Sequence, residues 1–201
     1  MPLTPDNRSE LRSLLRARRR ALDAAGRERA SRALATRLLT LATVDAAARL
    51  AAYVPFDGEI DPLPFLHAAR AAGRQVYLPR LGGDGRLEFV AWHPGLPLVP
   101  NRFGILEPAD GEVCAARALD VVIAPLVAFD AAGNRLGMGG GWYDRTFAFL
   151  KAPDRPAKPH LIGVAYEFQR VPQLPSADWD VPLDGVATDA GWYPSPGGNG
   201  T

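Results

Sequence analysis

The chain is short of the residues that build disulfide staples and metal centres. Its 201 residues include one cysteine and three histidines. A single cysteine, Cys114, excludes an internal disulfide framework and suits a reducing compartment, so a cytoplasmic location is expected. No base or cationic partner can be argued for it, and it is read as inert. His67, His93 and His160 lack the spacing of zinc ligands and are read as structural. A dominant charge is missing too: Lys+Arg 23 against Asp+Glu 22 leaves a net +1, too little for a field that gathers nucleic acid. The longest apolar run, Val121 to Phe129, falls far short of the roughly 20 residues that span a bilayer. The arginine-rich opening is interrupted by Asp6, Glu10 and Asp23 with no apolar stretch behind it, which argues against a signal peptide. Neither a nucleic-acid nor a membrane partner is expected. Internal repeats are absent, and so is the P-loop spelling G-x-x-x-x-G-K-[ST]. G-x-G-x-x-G fails as well, because counting from Gly137 and Gly139 puts Trp142 at the third glycine position.

What remains is the composition of a globular chain, 47% hydrophobic and 22% charged, long enough for one core. A single domain over 1–193 is expected, with the Gly/Pro/Ser-rich tail 194–201 disordered. Leu11, Leu14, Leu15 and Leu22 make one apolar stripe and predict a helix over 8–22, with arginines on the wet remainder. Asp23 can cap a second helix running to about Leu41. Residues 48–56, 62–73 and 74–79 read as strand, helix and strand, a βαβ unit. Residues 86–92 alternate like an edge strand or hairpin arm. Residues 119–129, apolar on both faces, read as a central parallel strand. A helix over 142–150, a strand over 160–166 and a last strand within 184–193 follow. The fold class expected is α/β, a three-layer α/β/α sandwich with a mostly parallel sheet and an N-terminal helical pair.

Between the central strand and the helix after it lies Gly133-Asn-Arg-Leu-Gly-Met-Gly-Gly-Gly-Trp-Tyr-Asp-Arg145. Open α/β sheets bind ligands beyond the carboxyl ends of their strands. Glycines let backbone N–H groups approach an anion, and Arg135 and Arg145 match phosphate oxygens. Asp144 would repel bare phosphate and makes sense with Mg²⁺ between them. The segment therefore reads as a site for metal-complexed polyphosphate. A glycine-rich turn that merely reverses the chain is the plainer alternative. Taken alone, Glu59 is a solvated turn residue, Asp180 caps a turn before Pro182, and Arg8 to Arg20 form the wet face of a helix.

The stretch 126–145, Leu-Val-Ala-Phe-Asp-Ala-Ala-Gly-Asn-Arg-Leu-Gly-Met-Gly-Gly-Gly-Trp-Tyr-Asp-Arg, strongly resembles the signature of 5-formyltetrahydrofolate cyclo-ligases. The resemblance extends to the opening 9–22, to 56–61, 76–81, 101–108 and 174–188, in the family's order. It implies conversion of 5-formyltetrahydrofolate to 5,10-methenyltetrahydrofolate, with MgATP consumed and ADP and phosphate released. Carried over by position, ATP contacts fall on Arg8, Arg12, Arg135, Leu136, Gly137, Met138, Gly139, Gly140, Gly141, Trp142 and Tyr143. Folate contacts fall on Val54, Glu59 and Met138 to Trp142. Mg²⁺ ligands fall on Asp144 and Asp180. Arg8 stands where lysine is frequent, and Met138 and Trp142 stand where other large residues occur, which bears on folate packing.

The chemistry explains the residue types. Phosphorylation turns a formamide oxygen into a leaving group, and the neighbouring amine then closes a five-membered ring within one molecule. Glu59, Arg135 and Arg145 are the residues expected to act on the reaction. Arg135 and Arg145 hold phosphates, while Glu59 orients the folate or takes the amine proton. A monomer is expected, and Arg16 to Arg20 are read as solvated surface. Two other classes fit less well: a phosphate-binding α/β protein needing no ATP would leave Asp144 and Asp180 idle, and a non-catalytic binder would not need them.

Overall fold

The computed structural model describes residues 5–152, 154–175 and 177–196; residues 197–201 of the expected tail lie outside them. The chain opens with α1 (Pro5–Arg20) and α2 (Ala24–Leu39). Asp23 caps α2 as its residue type requires, its carboxylate accepting from Gly26 N at 2.6 Å. After the short α3 (Ala42–Asp45) come β1 (Arg49–Ala51), α4 (Leu63–Ala71), β2 (Gln75–Leu81) and β3 (Leu87–Ala91). A small ribbon, β4 (Leu98–Pro100) with β5 (Leu106–Pro108), precedes β6 (Val113–Cys114) and β7 (Val121–Pro125). The hairpin β8 (Ala128–Phe129) and β9 (Arg135–Leu136) leads to α5 (Trp142–Thr146). The chain then forms β10 (His160–Ala165), β11 (Gly185–Thr188) and β12 (Trp192–Pro194).

The described residues form one eight-stranded sheet in the order β12-β11-β10-β7-β1-β2-β3-β6. The five strands from β11 to β2 are parallel, while β12, β3 and β6 add antiparallel flanks. Alternate residues feed two cores. Leu50, Val121, Ile123, Ile162 and Val164 face α2 and α4, whose Leu34, Leu38, Phe65 and Leu66 are fully buried. Ala51, Val122, Leu161 and Ala165 face Phe147 and Leu150 behind α5. Both faces are thus covered, as a parallel sheet needs. A third cluster seats Leu15 of α1 against Val127, Leu136 and Leu174. Among the described residues no helix is long and apolar enough to cross a membrane.

Several boundaries depart from expectation. The central strand ends at Pro125, and the chain then leaves the sheet. Gln169 Nε2 takes both freed carbonyls, Leu126 O and Val127 O, at 2.8 Å, so the departure leaves neither acceptor unpaired. β1 is three residues long because Pro55 and a turn at Asp57-Gly58 follow closely. β2 continues through Pro79 to Leu81. β1 ends opposite Tyr77, so the missing N–H of Pro79 points to a side that has no ladder to lose. The helix expected over 142–150 breaks at Phe147 and continues as a 3₁₀ turn over Ala148–Lys151. The last strand is a hairpin, β11 to β12, whose turn is held by Thr188 Oγ1 accepting from Ala190 N and Gly191 N. Leu14, placed on the inward stripe by its spacing, is 65% exposed. Leu11 and Leu15 meet the third cluster, and Leu22 packs against the α2–α4 core.

Candidate active site

The strand order positions the site. After β1 the chain moves to β2 on one side, while after β7 it moves to β10 on the other. β1 and β7 are neighbours and parallel, so their carboxyl ends release two loops in opposite directions at a crevice. This is where open α/β sheets bind ligands. The loop after β1 carries Val54 and Glu59; the segment after β7 carries the glycines.

The glycine segment is framed by its own Arg135 and Asp144 and by groups from elsewhere in the chain. Arg135 Nη2 pairs with the Asp144 carboxylate, Arg135 Nη1 donates to Val181 O, and Val181 N donates to Asp144 at 3.1 Å. Both ends of the Val181 residue are gripped, which seats its neighbour Asp180 beside the pair. Asp180 itself accepts from Ala177 N at 2.9 Å. A cleft of about 360 Å³ opens here, lined among others by Asn134, Arg135, Arg155 and Asp180. From α1, Arg12 Nε donates to Gly137 O at 2.9 Å and Arg8 to Pro175 O at 2.9 Å. Partial burial and the nearby Arg8 lower the pKa of Arg12. Leu136 buries its side chain in the third cluster, so it presents only backbone to a ligand. Met138, Gly139 and Gly140 are exposed. Gly141 stands in the left-handed region at φ 63, where α5 begins, a conformation costly to residues with a Cβ. With only five residues, α5 contributes less dipole than the longer helix would have.

Arg145 Nη1 lies 2.8 Å from where a Cβ on Gly141 would stand. Its Nε donates to Gly85 O at 2.8 Å, and its guanidinium lies 5.1 Å from the Trp142 ring centre. Trp142 also meets Phe103 edge-on and lies 5.4 Å from the Arg102 guanidinium. The structure therefore brings Arg12, Arg135 and Asp144 to the glycine segment, sets the Arg145 guanidinium between Gly141 and the Trp142 ring, and leaves Asp180 in the cleft that Arg135 also lines.

Glu59 is not a solvated turn residue. Its side chain is 9% exposed, Oε2 accepts from Phe56 N at 3.1 Å, and Oε1 lies 3.7 Å from Arg19 Nη1. Burial raises its pKa from 4.5 to about 7, against the pull of Arg19 and the Phe56 N–H. Tyr53 donates to Ile60 O at 2.7 Å and fixes the far end of the turn. The pKa of the Tyr143 hydroxyl, two residues past Gly141, is raised by burial and then by the Glu59 charge. Val54 is half-buried and packs against the α2–α4 core.

The reading of Arg16 to Arg20 as solvated surface holds for the exposed Arg18 and Arg20 and is corrected at Arg19 and the half-buried Arg16. Arg19 is fully buried. Arg16 Nε and Arg20 Nη1 donate to Asp57 at 2.6 and 2.8 Å, and Arg19 Nη2 does so at 3.3 Å. Partial burial pushes the Asp57 carboxyl up, but the bonds from Arg16 and Arg20 outweigh it and hold the pKa below the usual value. Arg18 lies 4.4 Å over the Phe168 ring. One signal was available: Leu11, Leu15 and Arg19 follow at i+4, so Arg19 continues the buried stripe.

No group of three or more His, Cys, Asp or Glu is gathered for a cation among the described residues. Mg²⁺ needs only one or two protein carboxylates when phosphates and water complete its shell. Asp144 and Asp180 would be two such carboxylates for an ion that arrives with nucleotide.

Residues 5–189 match the model of the 5-formyltetrahydrofolate cyclo-ligase family. The 5-formyltetrahydrofolate cyclo-ligase of Escherichia coli K12 is 41% identical over 179 residues, covering 87% of this chain and 96% of that one. That of Haemophilus influenzae is 36% identical over 185 residues, covering 90% and 97%. The solution structure of the Aquifex aeolicus 5,10-methenyltetrahydrofolate synthetase superposes with a TM-score of 0.79 at 32% identity, covering 93% of this chain and 92% of that one. A fold with these loops at its switch point and this match over nearly its whole length belongs to the 5-formyltetrahydrofolate cyclo-ligase family.

Proposed function

We propose that the protein converts 5-formyltetrahydrofolate to 5,10-methenyltetrahydrofolate, consuming MgATP and releasing ADP and phosphate. One observation carries this beyond family membership. The loop that carries the buried Glu59 and the segment that carries the glycines, Arg135 and Asp144 follow the carboxyl ends of two neighbouring parallel strands, β1 and β7, so a phosphoryl donor and a folate can meet across one crevice.

In this reading the γ-phosphoryl group passes to the formyl oxygen. The N10 amine attacks the formyl carbon, the carbon–oxygen bond breaks, and the oxygen departs with the phosphate. The N10 proton is lost as the ring closes. Loop N–H groups and Arg12 hold the polyphosphate, and Arg135 keeps Asp144 oriented beside it. Asp144 and Asp180 would hold Mg²⁺, which when bound neutralises charge on the transferred phosphoryl group. Arg145 closes the loop from the Trp142 side. Glu59, when ionised, accepts N–H donors of the folate and orients it.

Activity is tested by incubating the protein with 5-formyltetrahydrofolate and MgATP and following methenyl absorbance. No product with metal and nucleotide both present removes the reading. Glu59→Gln separates orientation from base catalysis: a raised KM with near-normal kcat supports orientation, whereas a collapse of kcat makes Glu59 a proton acceptor.

A further inference from the structure

We propose that Arg19 is the positioning residue for Glu59, and that α1 is a rigid link between the polyphosphate loop and the folate side. The inference rests on the cyclo-ligase reading of Glu59 and names a residue that carries no substrate contact itself. Its basis is geometric. Arg8, Arg12, Arg16 and Arg20 follow one another at i+4 and form a line about 18 Å long at 1.5 Å per residue. The first two hold Pro175 O and Gly137 O beside the glycine segment. The last two hold Asp57, two residues before Glu59. Between them Arg19 points inward and is fully buried, with Nη1 3.4 Å from Leu126 O and 3.7 Å from Glu59.

Two features make this contact specific. Asp57 stands at φ 52 and Gly58 at φ 75, and these two left-handed residues in succession turn both carboxylates towards α1. A Cβ on Gly58 would sit 3.1 Å from the Arg19 backbone, so the loop and the helix touch main chain to main chain. Arg19 Nε has no hydrogen-bond partner. The buried guanidinium is held through its Nη atoms, Nη2 on Asp57 and Nη1 between Leu126 O and Glu59. The groups that face Glu59 are Arg19 and Arg16 from α1, Asp57 from its own loop, and the hydroxyls of Tyr53 and Tyr143. Arg19 is the cation that comes closest.

The test reads the Kd of 5-formyltetrahydrofolate against pH, without nucleotide, so that it does not depend on turnover. Wild-type binding weakens as pH falls through the Glu59 transition. Arg19→Met removes the neighbouring cation, moves that acid limb up by about one pH unit and weakens binding about fivefold at pH 7. Asp57→Asn removes a neighbouring anion and moves the limb down. Arg19→Lys falls between Arg19→Met and wild type. In Glu59→Gln the limb vanishes, and adding Arg19→Met changes Kd less than about twofold. An unchanged limb in folded Arg19→Met, or an equal loss in the Glu59→Gln background, overturns the proposal. If Arg19→Met does not fold, shifts of the same sign in Arg19→Lys and Asp57→Asn overturn it. Normal folate binding and limb shifts in a protein without turnover would instead sink the cyclo-ligase reading alone.

Discussion

The two halves of α1 carry the same residue at the same spacing and do different things. At its N-terminal half, Arg8 and Arg12 rest on backbone carbonyls, and among the described residues neither has a carboxylate within ion-pair distance. At its C-terminal half, Arg16, Arg19 and Arg20 share Asp57. A guanidinium on a neutral carbonyl keeps its charge and most of its donors for an incoming anion. One paired with a buried carboxylate is already spoken for, and removing its partner strands a charge. What separates a ligand-binding arginine from a structural one on this helix is therefore what lies opposite it.

That contrast can be broken at both ends. The largest effect is expected at the frame both halves serve: Arg135→Ala releases Asp144 and the Val181 residue, and kcat/KM for MgATP should fall about a thousandfold. Steady-state kinetics with Arg135→Lys as control checks this, since lysine cannot grip Val181 O and Asp144 together. Next comes Asp57→Asn, which leaves three arginines underpaired; chemical denaturation should show a loss of about 3 kcal/mol.

Glu59→Gln should be more stable than wild type above neutral pH. A carboxyl raised from 4.5 to about 7 contributes stability that is full below the unfolded value and lost as pH rises through 7. The variant escapes this loss, so its advantage should grow to roughly 3 kcal/mol by pH 8 to 9 and vanish near pH 4. Urea midpoints across that range decide it, and a gap that does not change with pH contradicts the buried placement. The smallest effect is at Arg12→Ala, which should raise the KM for MgATP about tenfold with little change in melting temperature. A melting drop as large as that of Asp57→Asn would show that the two halves of α1 are not distinct.

Much of the fold was legible. Asp23 announced a helix start, and the 48–79 segment announced a βαβ unit, because caps and periodicity act within a few residues. The glycine segment and Asp144 drew attention by residue type alone, whereas Asp180 entered only through the resemblance. The exit of the chain at Leu126 was not, since the glutamine that satisfies its carbonyls lies 43 residues further on. Glu59 looked like a turn residue because its Asp-Gly context is local and its burial is not. Arg145 matched phosphate by type, and its place within the short α5 sets its Nε on Gly85 O.

The sequence by itself determined which segments became helix and strand, where the chain needed left-handed residues, and which charges were available. Those depend on steric and hydrogen-bonding preferences over a few residues. Only the tertiary structure decided which arginine met Asp57, which met the glycine segment, and that Arg19 went inside. Positions at i+4 on one helix are equivalent until another part of the chain is packed against them.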